Sequence, residues 1–214
     1  MLRQYPTTIP AEARDFPEWH HGRETYAVWI LQLEDGAISE KFKAARDHLD
    51  GYLLKPYRRQ PHITLFVCGF LVEKPQYNDD FTHQQLQTQF KTLEKADIGP
   101  FEIEIGGINS FASAPYLEVH DLDDGISRLR ELLSRGAREF RTAPYTPHLT
   151  VGLYSGAYPS EDVMSRMATF LRKPIRWKVN QITLATYQAQ EFAGRLHYLQ
   201  TISFDNDVSE KVSR

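Results

Sequence analysis

Apolar and polar positions along this chain fall into blocks whose period switches between that of a strand and that of a helix. Residues 25–34, Thr-Tyr-Ala-Val-Trp-Ile-Leu-Gln-Leu-Glu, are dense in strand formers. After Gly36, the residues Ile38, Phe42, Ala45 and Leu49 recur at helical spacing, so 38–50 is expected to be a helix. A second strand is expected over Pro61–Cys68, a helix over 82–95 carrying Leu86, Phe90 and Leu93, and a third strand where Phe101, Ile103 and Ile105 alternate with Glu102 and Glu104. The order then starts again. Tyr116–His120 reads as a strand, and Asp123-Asp124 as the cap of a helix running to about Phe140 with Ile126, Leu129, Leu132 and Leu133 on one side. His148–Tyr154 reads as a strand, Ser160–Leu171 as a helix, Val179–Tyr187 as a strand and Leu196–Phe204 as a last strand.

Both halves therefore run strand, helix, His-bearing strand, helix, strand, the signature of an internal duplication. Residues 25–204 are expected to form one domain, preceded by an irregular arm, 1–24, and followed by a polar tail, 205–214. The approach to each histidine also repeats: Pro56-Tyr57-Arg58-Arg59-Gln60-Pro61-His62 in the first half, Pro144-Tyr145-Thr146-Pro147-His148 in the second. Proline at the start of a strand costs no ladder hydrogen bond and marks where the strand begins. A pseudo-twofold relation between the halves would set the two histidine strands facing each other.

Side chains alternate faces along a strand, so His62 and Thr64 share one face while Ile63, Leu65 and Val67 share the other. Cys68 falls on the His62 face if the strand stays regular, but about 20 Å along it, too far for activation by that histidine. His148 and Thr150 likewise oppose Leu149, Val151 and Leu153. A single His-x-Thr in a strand says little, because half-buried histidines are common. Two copies at the same place in repeated units form a pattern that suits phosphodiester chemistry. Breaking or making such a bond needs a base on the attacking oxygen and an acid on the leaving oxygen, and imidazole, with a pKa near 6.5, serves as either. The threonine hydroxyls would bond the phosphate oxygens whose charge grows in the transition state. This scheme requires no metal.

Composition adds limits. The 214 residues are 41% hydrophobic and 25% charged, ordinary values for a globular domain. A single cysteine makes no internal disulfide, and no apolar run approaches the roughly 18 to 20 residues of a membrane span, so a cytoplasmic protein with no membrane partner is expected. With 25 basic against 28 acidic residues the net charge is −3, which does not imply a basic face gripping long duplex nucleic acid. Local basic groups stand at Arg58-Arg59 and at Arg172, Lys173, Arg176 and Lys178, and such groups are mostly solvated surface. His20-His21 has no Cys or carboxylate at ligand spacing, so no metal site is expected there. Gly106-Gly107 reads as a turn or bulge, and Trp177, Tyr187 and Tyr154 as core or stacking aromatics.

The paired motifs Pro-His-Ile-Thr-Leu and Pro-His-Leu-Thr-Val in a duplicated α+β frame resemble the 2H phosphoesterase superfamily, over about residues 25–204. That resemblance implies an α+β, bilobal, pseudo-twofold fold with two antiparallel sheets lining a central groove and helices outside. It implies His62, Thr64, His148 and Thr150 as the catalytic set, no cofactor and no metal. Tyr57, Tyr145, Trp29 and Arg58 are candidates for holding the substrate. The expected activity is that of a cyclic phosphodiesterase on 2′,3′-cyclic phosphates of nucleotides or short RNA ends, acting as a monomer. The same site also fits a 2′-5′-oligoadenylate or 3′-end RNA phosphodiesterase, or a nucleotide-binding module without turnover.

Overall fold

Tyr26, Val28 and Ile30 alternate with Ala27, Trp29 and Leu31, so strand β1 (Thr25–Gln32) is apolar on both faces and has to be covered on both. The computed structural model, which describes residues 1–33, 36–141 and 143–204, does this by making β1 an interior strand. It lies between β2 (His62–Val72) and β8 (Gln181–Gln188), and β9 (His197–Ser203) follows β8 at the edge. A second group of four runs β6 (His148–Thr150), β5 (Pro115–Asp121), β4 (Phe101–Ser110), β7 (Ile175–Val179). Both groups are antiparallel, and they meet at one pairing, Ile63 of β2 opposite Leu149 of β6. The two sheets expected from the duplication are thus two lobes of one curled sheet. Short β3 (Asp80–Thr82) adds a parallel pairing to β2.

Each lobe takes strands from both halves of the sequence. The third strand of the first half, β4, pairs with β5 and β7 of the second, while β8 pairs with β1 of the first. What reads as one strand over Val179–Tyr187 is therefore two strands. Val179 closes β7 in one lobe, Gln181 opens β8 in the other, and the chain crosses between lobes at Asn180.

Helices α2 (Gly36–His48), α3 (His83–Lys95), α4 (Gly125–Gly136) and α5 (Ser160–Ala168) pack Ile38, Phe42, Phe90, Leu129 and Val163 against one face of the sheet, where Trp29, Ile63, Leu117 and Leu149 complete the main core. Helix α3 starts at a capping box between Thr82 and Gln85. Helix α4 differs from expectation at both ends. Asp124 sits in the left-handed region (φ 56°) and makes no cap bond; Asp121 instead accepts from the amides of Ile126 (3.1 Å) and Ser127 (3.0 Å). The helix stops at Gly136, which packs onto Gln89, and Ala137 is extended. The strand at His148 also stops early, at Thr150. Beyond it the Val151 amide still bonds the Pro115 carbonyl of β5 (2.9 Å), while the Leu153 carbonyl accepts from the Leu54 amide at 2.8 Å.

The opposite, concave face carries a smaller apolar cluster of Tyr26, Val28, Ile30, Val67 and Phe70, covered by Trp19. Trp19 belongs to α1 (Pro17–His20) in the N-terminal segment, which also buries Leu2 and ties Thr8 to the Gly156 carbonyl (2.7 Å). Gly106-Gly107 is the expected bulge, in β4. The tail 205–214 lies outside the described residues.

Candidate active site

The seam between the lobes positions the two motifs. His62 opens β2 and His148 opens β6, each just after a proline, and Ile63 and Leu149 pair with no exposed surface on the core side. Extending that antiparallel register by one residue each way sets His62 beside Thr150 and Thr64 beside His148. All four then share the concave face. The two imidazoles stand on a diagonal, with an expected separation of roughly 7 to 8 Å between the two residues and somewhat less at Cβ. The motifs do not face each other across a gap; they lie side by side about a local twofold axis through Ile63 and Leu149.

Each imidazole is oriented in the same way. Nδ1 of His62 lies 2.8 Å from the Gln60 carbonyl and Nδ1 of His148 lies 2.7 Å from the Thr146 carbonyl. A carbonyl only accepts, so both Nδ1 atoms carry the proton and both Nε2 atoms are free for chemistry. His148 is further wedged between the ring edges of Phe111 (5.0 Å) and Tyr116 (5.5 Å). Burial lowers the pKa of His62 to about 4, against a smaller upward pull from the Gln60 carbonyl, and the nearby Arg59 and His148 add to the lowering. His148 is also lowered by burial, opposed by the Thr146 carbonyl and assisted by Arg141.

Strand β2 departs from regular alternation just beyond the motif. Its register against β1 skips a residue between Thr64 and Phe66 and again between Val67 and Gly69. The first skip turns Val67 onto the groove face, away from Ile63 and Leu65, and sends Cys68 into the core against Gln89 rather than onto the His62 face. On the side of β6, β2 is paired only at Ile63, and side chains from α4 and from the α4–β6 connection take backbone groups beyond it. The Tyr145 hydroxyl donates to the Thr64 carbonyl (2.8 Å), Arg130 donates to the Leu65 carbonyl, and the Val67 amide donates to Glu139 (3.0 Å). Arg130 also pairs with Glu139 at 2.8 Å and covers the Tyr145 ring at 3.7 Å. An early end to α4 is what brings Glu139 to this place.

The groove so formed has a volume of about 590 Å³. Tyr57 and Tyr145 line it, as the motif flanks suggest, with the Tyr145 hydroxyl already engaged on the strand. Trp29 does not. It points to the other face of β1, is fully buried, and donates to Gln89 (2.8 Å), because odd positions of β1 face the helices. Arg58 is exposed outside the groove, while its neighbour Arg59 turns in, lies 3.9 Å over the Tyr187 ring and donates to the Gly194 carbonyl (3.2 Å). Arg141, Phe111 and an aromatic wall of Phe16, Trp19 and Tyr187 complete the lining. Of these, Tyr187 is visible in the sequence as a stacking candidate. The others come from a loop and from the N-terminal segment, which carry no periodic signal. Tyr154 is buried with its hydroxyl 2.6 Å from Ser110, and Trp177 packs on the helix side.

Among the described residues no group of three or more His, Cys, Asp or Glu is placed to hold a metal ion, and no helix is long and apolar enough to cross a membrane. His20 bonds Asp15 (2.9 Å) while His21 stacks on Tyr77, so the pair diverges. Arg172, Lys173, Arg176 and Lys178 lie away from the groove.

A duplicated, helix-backed curled sheet with twin His-x-Thr strands at its seam defines a 2H phosphoesterase. The chain belongs to the 2′-5′ RNA ligase superfamily, whose family model matches residues 34–191. Solved structures show the same fold. LigT of E. coli in its apo form superposes with a TM-score of 0.54 at 14% identity, over 85% of this chain and 98% of that one. LigT complexed with 3′-AMP gives 0.55 at 16% identity, over 84% and 98%. TT0787 of Thermus thermophilus gives 0.54 at 17% identity, over 84% and 97%. No curated protein matches the chain in sequence.

Proposed function

We propose that the chain is a phosphodiesterase that opens 2′,3′-cyclic phosphates on nucleotides or RNA ends, with His62 and His148 as its acid–base pair. The observation that carries this reading is the matched presentation of two imidazoles, each with Nδ1–H spent on a backbone carbonyl and Nε2 free in one groove beside a threonine. His62, with the more strongly lowered pKa, is neutral at working pH and takes the proton of the attacking water at Nε2. Its oxygen bonds to phosphorus as the bond from phosphorus to one ribose oxygen breaks. A bound phosphodiester anion favours the protonated form of its neighbours, and His148 gives its Nε2 proton to the departing oxygen. Thr64 and Thr150 donate to the two non-bridging oxygens. The scheme uses no metal. The aromatic wall offers a nucleobase a stacking surface, and the complex of the relative LigT with 3′-AMP accords with a nucleotide in this groove.

A binding module without turnover would have no use for two free, matched Nε2 atoms. The test is hydrolysis of 2′,3′-cyclic nucleotides in EDTA by the wild type, His62→Ala and His148→Ala. Loss of about 10² to 10⁴ in kcat is expected in each variant; wild-type turnover in either one would end the assignment.

A further inference from the structure

Beyond Tyr57 and Glu191, which belong to both, the groove continues into a second cavity of about 650 Å³, lined also by Arg58, Arg195 and His197. The sequence offers no pairing of these residues, since they stand far apart and the net charge is negative. The structure fixes them together. Gln60 donates to the Leu196 carbonyl (2.9 Å) and accepts from the Leu196 amide (2.8 Å), and Arg59 bonds the Gly194 carbonyl. The segment carrying Arg58 is thereby riveted to the one carrying Arg195 and His197. The same Gln60 uses its own carbonyl to hold Nδ1 of His62. One residue thus sets both the imidazole and the basic cavity.

Two of the three arginines that line the groove are already committed: Arg130 to Glu139 and Leu65, and Arg59 to Tyr187 and Gly194. Among the described residues, Arg58 and Arg195 have neither an ion pair nor a hydrogen bond from their guanidinium groups, and both are exposed. Two guanidiniums and an imidazole face one carboxylate, that of Glu191, so the cavity keeps a net positive charge. Arg58 stands four positions before His62, a reach of at most about 14 Å along an extended chain.

We infer that Arg58, Arg195 and His197 form a second phosphate site, which receives a backbone phosphate of a single-stranded RNA end whose terminal phosphate lies between His62 and His148. This rests on the phosphodiester reading of the groove and narrows it, from mononucleotides to oligonucleotides.

The test is equilibrium binding of a 3′-mononucleotide and of a trinucleotide with a 3′-phosphate, at several salt concentrations, by the wild type, Arg195→Gln and Arg58→Gln/Arg195→Gln. The wild type is expected to bind the trinucleotide at least about 10-fold more tightly, with a salt slope steeper by about 0.7 for each added phosphate contact. The double variant loses this advantage and flattens the slope while keeping its affinity for the mononucleotide. Equal wild-type affinity for the two ligands, or an equal loss on both in the variants, overturns the second site and leaves the groove reading intact. Failure to bind either ligand overturns both.

Discussion

Burying His62 as a neutral imidazole has a stability cost at acid pH that can be measured. In the unfolded chain the group takes up a proton near pH 6.5, whereas in the folded protein it does so only near pH 4. Between those values the unfolded state binds more protons, so folding stability rises with pH across that window and falls as the pH drops through it. Relative to neutral pH, the loss assigned to His62 is about 2 kcal/mol at pH 5 and about 3 kcal/mol at pH 4. Replacing His62 with Asn removes the titration. Urea unfolding of the wild type and His62→Asn at pH 7.5, 6, 5 and 4 should give two curves that converge toward acid, the wild type losing about 3 kcal/mol more. His148, lowered in the same direction, is present in both proteins and cancels. Parallel curves would refute the claim that the site holds His62 neutral by burial.

Two further outcomes follow from the same site. Arg130→Met removes the partner of Glu139 and of the Leu65 carbonyl where both side chains are largely enclosed, so unfolding should show a loss of about 3 kcal/mol, part of which Arg130→Met/Glu139→Gln restores. Full stability in the single variant would mean that the Arg130 contacts do not support β2. Thr150→Val should lower kcat for a cyclic nucleotide about 10²-fold with KM little changed, as expected for a donor that matters most in the transition state; a change confined to KM would assign Thr150 to ground-state binding instead.

Strand and helix order was legible because it depends on local periodicity. Ile38, Phe42 and Ala45 line one side of α2, Glu102 and Glu104 alternate out of β4, and the duplicated Pro-His-x-Thr marked the two site strands. Trp29 faces away from the groove, and Arg58 lies in the adjoining cavity rather than in the groove itself, for a common reason: whether a side chain faces the groove depends on the register of its strand or segment, which neighbouring residues do not encode. Trp29 lies on the helix-facing side of β1, and the extended run before His62 turns Arg59, not Arg58, inward. Cys68 and Val67 changed faces because β2 skips residues against β1, a shift set by its partner strand.

The sequence by itself determined the repeat, the two motifs and the fact that each histidine begins a strand, since these follow from nearest-neighbour sterics and the period of burial. Only the tertiary structure decided how the halves combine. It exchanges β4 and β8 between the lobes and splits the run at Asn180. It joins the lobes through Ile63 and Leu149 so that two His-x-Thr pairs become one site. It completes that site with Glu139, Arg130 and Tyr145, which take backbone groups that a regular sheet would have paired. Those outcomes depend on contacts between residues far apart in the chain, and long-range pairing leaves no mark on local periodicity.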